Sequence, residues 1–223
     1  MRNRHSIAAI LVGLTSVLTV LVPHAASAAT GPTSTRAILR AGVIVASDLP
    51  SGWTKGPHPK KSDTSLRGIP SCKTVIAADA AAERSAPQAR SANFSDPATG
   101  GKTTTAENTA FVFKDTAAAS RFLTVYAAND ASECLRASVA RQIGSQATTT
   151  VSPIGDLGNL GDGRVGDEIV VQGAGSNGQP ISLFADVVFV RVGRAIIGFD
   201  FLNLNQRLPQ GPSVVNAVVN RLA

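Results

Sequence analysis

Four extended runs follow one another in the second half of this chain with little room between them. Ala147–Val151, Arg164–Gln172, Ile181–Val190 and Ala195–Leu204 read as strands, and Gly173–Gln179 and Gly193 fall at the turns between the later ones. Connections this short force antiparallel neighbours, because a parallel pair needs a crossover of a dozen or more residues. Upstream, Ala89–Ser95 and Thr104–Phe113 flank the turn-rich spacer Asp96-Pro97-Ala98-Thr99-Gly100-Gly101 and read as two more strands. In the second of these, Glu107 and Thr109 share a parity with Phe111 and Phe113, and that parity is expected to face the core.

Helical spacing accounts for most of the rest. An Ala-rich helix begins at Cys72 and fades before Pro87. Asp115 can cap a helix that opens at Thr116 and carries Ala118, Phe122, Val125 and Tyr126 on one face. A further helical piece holds Cys134, Leu135 and Val139. Pro209 to Leu222 closes the chain with a stripe of Val214, Val215, Val218, Val219 and Leu222. Thr35 to Val45 fits a short helix or an extended segment. The expected class is α+β: a curved antiparallel sheet of about five or six strands with helices packed on one face.

The first 28 residues stand apart. A basic opening, Met1-Arg2-Asn3-Arg4-His5, precedes an apolar run from Ile7 to Val22, then Pro23 and the small-residue site Ala26-Ser27-Ala28. That order defines a secretory signal, with cleavage expected between Ala28 and Ala29. A permanent anchor helix is the competing reading, but the run is about 16 residues against the ~20 that a spanning helix needs. The first cysteine is Cys72, so none is placed for lipid attachment at the cleavage site. The expected organisation is a leader at 1–28, a tail at 29–45, and a single domain at 46–223 that is released, extracellular and monomeric.

Export changes how the remaining chemistry reads. Cys72 and Cys134 are the two cysteines of the chain. In an oxidising compartment they are expected to pair, the alternative being two buried thiols. Closing a loop of about 60 residues contributes roughly 4 kcal/mol in the chain-entropy model. Of three histidines, His5 and His24 lie in the leader, which leaves His58 in a Lys- and Pro-rich loop. No Ser-His-Asp, Cys-His or His-Cys zinc constellation is therefore expected. The net charge is +6 and the basic residues are scattered, with aromatics at 4%. Nucleic-acid binding is not expected from such a surface.

Individual motifs give way to plainer readings. Gly173-Ala174-Gly175-Ser176-Asn177-Gly178 matches a dinucleotide fingerprint, but it precedes a strand rather than a helix and reads as a hairpin loop. Asp156–Gly163 lacks the ligand spacing of a calcium loop and reads as a tight turn. Asp79 with Glu83, and Asp167 with Glu168, are candidate carboxylates explained by surface ion pairing. Asp200 lies on the face opposite Phe199 and Phe201, beside Ile196 and Gly198; a carboxylate lining a groove on the sheet face is one reading, and alternation favours the other, a solvated face. Asn93-Phe94-Ser95 matches a glycosylation sequon inside a strand-like run.

Several short motifs occur in an order that resembles a known family. Asp48-Leu49-Pro50-Ser51-Gly52-Trp53, then Cys72, Phe111-Val112-Phe113 before a helix with Cys134 near its end, Leu160-Gly161-Asp162, and Asp186–Gly193 are similar to actinobacterial exported sensor-like domains. These include the extracellular domain of a mycobacterial serine/threonine kinase. The resemblance implies a helix-flanked antiparallel sheet with a cleft for an extracellular ligand, and no enzymatic activity, cofactor or metal. Unlike the kinase-linked pattern, this chain has one cysteine pair and no kinase segment. The functional expectation is a secreted, non-enzymatic ligand-binding domain whose ligand is an envelope metabolite, glycan or lipid. The alternatives are a carboxylate-dependent hydrolase and a protein-interaction module. The hydrolase requires two acids converging in a cleft, at least one with a raised pKa.

Overall fold

A computed structural model describes residues 23–24, 34–57, 66–99, 103–144, 147–155, 157–175 and 178–223. The cleavage site at Ala28 and Ala29, and His58, lie outside the described residues. Eight strands are numbered here in chain order: β1 Thr54–Lys55, β2 Gln88–Arg90, β3 Phe94–Ser95, β4 Thr105–Phe113, β5 Ala147–Pro153, β6 Gly163–Ala174, β7 Pro180–Val192 and β8 Ala195–Leu204. The helices are α1 Thr35–Ala41, α2 Lys73–Glu83, α3 Thr116–Tyr126, α4 Asn129–Ile143 and α5 Gly211–Asn220.

The strands form one sheet in the order β1-β3-β4-β8-β7-β6-β5, with β2 also paired to β4, and these pairings are all antiparallel. The meander expected after Gly144 is present as β5 to β8. Pro23–His24 adds a two-residue parallel pairing at Val112 and Phe113. The strand count exceeds the expected five or six for two local reasons: Thr54–Lys55 adds a short edge strand on β3, and one expected strand divides. The run Ala89–Ser95 divides into β2 and β3, because Ser91–Asn93 leave the ladder between two separate pairings to β4.

Helices cover both sheet faces, where one was expected. On the first face α2, α3 and α4 pack over Phe111, Phe113, Ile169, Val171, Val187, Phe189 and Ile196. On the second, Ile38 of α1 and the valine stripe of α5 close over Ala106, Ala110, Val112, Val188, Val190, Ile197 and Phe199. As a result every residue of β4 is buried, polar ones included. The second layer lies close: a Cβ on Gly42, just after α1, would come within 2.8 Å of both the Ala110 Cβ and Ile197 Cδ1. Asn108 secures that approach from the sheet. Its amide nitrogen donates to the Gly42 carbonyl (2.6 Å) and its amide oxygen accepts from the Ile44 N–H (2.7 Å).

The disulfide joins Cys72, at the start of α2, to Cys134 of α4, with Cα atoms 4.7 Å apart. Asp115 caps α3 as its position predicts, accepting from the Ala118 N–H at 2.7 Å. Among the described residues no helix is long and apolar enough to cross a membrane.

Candidate ligand groove and the buried acids beneath the helices

The sequence of α2 makes a helix with little on its surface to fill space. Ala78, Ala81 and Ala82 lie toward α3, whose Ala118 is equally small. Helices so lined leave room, since an alanine pair fills only part of the gap that leucines would close. The result is a groove of about 580 Å³, lined also by Ser85, Phe113, Lys114, Arg121, Phe122 and Val125. That volume lies within the range of small-molecule sites, roughly 300–1,000 Å³. Ala81, Ser85, Lys114 and Arg121 are exposed and form its mouth, while Ala82, Phe113 and Phe122 are buried and form its floor.

The floor is rigid. Phe122 packs at the centre of an aromatic cluster, with ring centroids 5.5 Å from Phe113, 4.8 Å from Tyr126 and 5.9 Å from Phe189. One turn on, the Tyr126 hydroxyl donates to Asp79 Oδ1 at 2.6 Å and ties α3 to α2. Burial, the Asp79 charge and its hydrogen bond, and the charge of Asp200 raise the phenol pKa well above its ordinary value. Asp79 thus points inward, and Glu83, one turn along the helix, is exposed.

Under the helical layer the sheet carries acids in one row. Cross-strand register aligns Asp167, Val187, Asp200 and Glu107 on β6, β7, β8 and β4. Glu107 and Asp200 face each other on neighbouring strands and are 2% and 9% exposed. Asn93 donates to Glu107 Oε2 at 3.0 Å, and Oε1 has no hydrogen-bond partner among the described residues. Burial raises the Glu107 carboxyl to about 7, against the opposing influence of Asn93 and of the Arg90 charge. Burial and the Glu107 charge push Asp200 well above the carboxylate range. The placement of Asp200 on a solvated face is therefore corrected: α2 to α4 cover that face, and alternation marks a face without saying what covers it.

Other singled-out residues take structural positions. Asp167 accepts from the Ser132 hydroxyl at 3.0 Å, and Glu168 on the opposite face pairs with Arg207 at 3.2 Å. Asn93 of the sequon is half-buried, and its amide is committed to Glu107. Asp48 of the Asp-Leu-Pro-Ser-Gly-Trp motif is clamped by both terminal guanidinium nitrogens of Arg221, which also donates to the carbonyls of Ala41 and Val43. That motif fastens α5 to the N-terminal segment. Asp162 is likewise used locally: its carboxylate accepts from the Gly193 N–H, and its own N–H donates to the Arg191 carbonyl at 2.7 Å. Gly161 before it has φ +55°, and a Cβ there would lie 2.2 Å from that same carbonyl oxygen. Asp156 lies outside the described residues. Among the described residues no group of three or more His, Cys, Asp or Glu side chains could hold a metal ion.

Sequence reasoning passed over Glu107 and the groove. The signal for Glu107 was present, as an acid on the same parity as Phe111 and Phe113. The groove had none, because it exists only where two helices about 40 residues apart in the chain meet.

No family model and no curated protein matches this chain. Among solved structures it is similar to the extracellular domain of PknH from Mycobacterium tuberculosis. The TM-score is 0.57, over 87% of this chain and 98% of that one, at 12% sequence identity. The likeness is one of fold.

Proposed function

We propose that the chain is an exported, non-enzymatic sensor-like domain that binds a small apolar ligand in the groove between α2 and α3. The observation that carries this reading is the groove itself: an alanine-lined space with a buried aromatic floor and an exposed mouth. The disulfide and the extracellular-domain fold support export. Among the described residues Val45 is the one large hydrophobic side chain that is exposed, which gives the interaction-module reading little to stand on.

Fluorescence of N-phenylnaphthylamine titrated with purified protein tests the reading. The wild type is expected to take up the dye. Ala78→Trp, which fills the groove, is expected to lose at least tenfold in affinity while keeping its circular dichroism. Absence of dye binding, or unchanged binding by the filled variant, would overturn the proposal.

A second reading, the carboxylate-dependent hydrolase, draws on the convergence of Glu107 and Asp200. Against it, a substrate must reach the reacting carboxyls, and both are buried. A panel of chromogenic esters and glycosides is expected to show no turnover. Turnover abolished by Glu107→Gln would favour the hydrolase instead.

A further inference from the structure

The mouth of the groove carries a charge pattern that narrows the ligand. We propose that the groove takes a single-chain anionic amphiphile of the fatty-acid class, its tail along the floor and its acid head at Lys114 and Arg121. This rests on the groove being the ligand site.

Ten residues line the space, and those that are charged, Lys114 and Arg121, are both cations. Arg121 is exposed and has no ion-pair partner among the described residues. Lys114 is 78% exposed, and its nearest acid is Asp115 at 3.8 Å. Asp115 is only partly available to it, because its other oxygen caps α3. The aliphatic stems of Lys and Arg can lie along the apolar wall while their heads stay in water. A carboxylate at the mouth then gains charge-assisted hydrogen bonds that a neutral head lacks. The lining also argues against a glycan. A sugar requires several convergent polar groups, and beyond the two cations Ser85 is the polar side chain present.

Isothermal titration with dodecanoate, 1-dodecanol and dodecyltrimethylammonium, each below its micellar concentration, tests the inference. Dodecanoate is expected to bind about tenfold more tightly than the alcohol, the worth of one hydrogen bond to a charged group. The cationic amphiphile is expected to bind most weakly. Arg121→Gln, an exposed substitution that leaves the core untouched, is expected to narrow the preference for acid over alcohol, with Lys114 retaining part of it. Raising the ionic strength is expected to weaken dodecanoate alone. Equal affinity for acid and alcohol, unchanged by Arg121→Gln, would overturn the inference and leave the groove standing as an apolar site. Failure of all three amphiphiles to bind would remove both readings. Binding of dodecanoate only in the presence of phosphatidylglycerol vesicles would assign the cations to a membrane surface and overturn it as well.

Discussion

Two pairs of acids sit in adjacent rows of the same sheet, on opposite faces, and the fold tolerates them in different ways. Glu107 on β4 faces Asp200 on β8; Glu168 on β6 faces Asp186 on β7. Each is a like-charge pair directly across an antiparallel ladder, an arrangement that destabilises a sheet when both members are ionised. At the second pair Arg207 supplies a cation, reaching Glu168 at 3.2 Å and Asp186 at 2.9 Å. Burial still raises Asp186, with Arg207 opposing, and the guanidinium is itself held more firmly protonated. At the first pair burial outweighs Arg90, and Glu107 is raised to about 7. At one pair a hydrogen-bonded cation offsets the charge; at the other burial favours the protonated form against the opposing charge of Arg90. The difference follows from depth: Arg207 reaches its acids with a side chain that is 44% exposed, whereas Glu107 is 2% exposed.

The largest expected effect is on the pair of Glu107 and Asp200. A carboxyl whose folded pKa is raised favours folding while it is protonated, so its contribution is complete below the unfolded value and is lost as pH rises through the folded one. For Glu107 that window runs from 4.5 to about 7. The loss should amount to about 3 kcal/mol, with Asp200 adding in the same direction because the two titrate as a coupled pair. Urea denaturation across this range should show stability falling with pH. Glu107→Gln should flatten the curve and be the more stable protein above pH 7.

Removing the cation from the other pair should come next. Arg207→Gln should cost about 2 kcal/mol at neutral pH, a figure reduced for the arginine's exposure. It should also give the second pair the pH dependence of the first, so that acidification restores part of the loss. A pH-independent cost would show that Arg207 acts through packing alone.

Asn93→Ala should have the smallest effect, about 1 kcal/mol above neutrality. Because Asn93 holds the Glu107 pKa down, its removal should move the midpoint of the pH transition upward. A downward shift, followed by carboxyl NMR titration, would show that the amide stabilises the protonated form.

The position of β8, Ala195 to Leu204, follows from a continuous apolar run after a glycine turn, both of them local signals. The environment of Asp200 within it was not readable. Alternation assumed a sheet with one wet face, and α1 and α5 cover the face opposite the one already roofed by α2 to α4. Asp48 gave a second such case: its motif marked a resemblance, but its purpose depends on Arg221, more than 170 residues away.

By itself the sequence determined the antiparallel meander, the cap at Asp115, the valine stripe of α5 and two cysteines suited to pairing. Each of these depends on neighbours a few residues apart or on a count. Tertiary structure alone decided that both faces would be covered, that Glu107 would meet Asp200, and that two alanine-lined helices would part to leave a groove. Those outcomes depend on cross-strand register and on how helices seat against a sheet. Both bring together residues that are distant in the chain and carry no mark of one another.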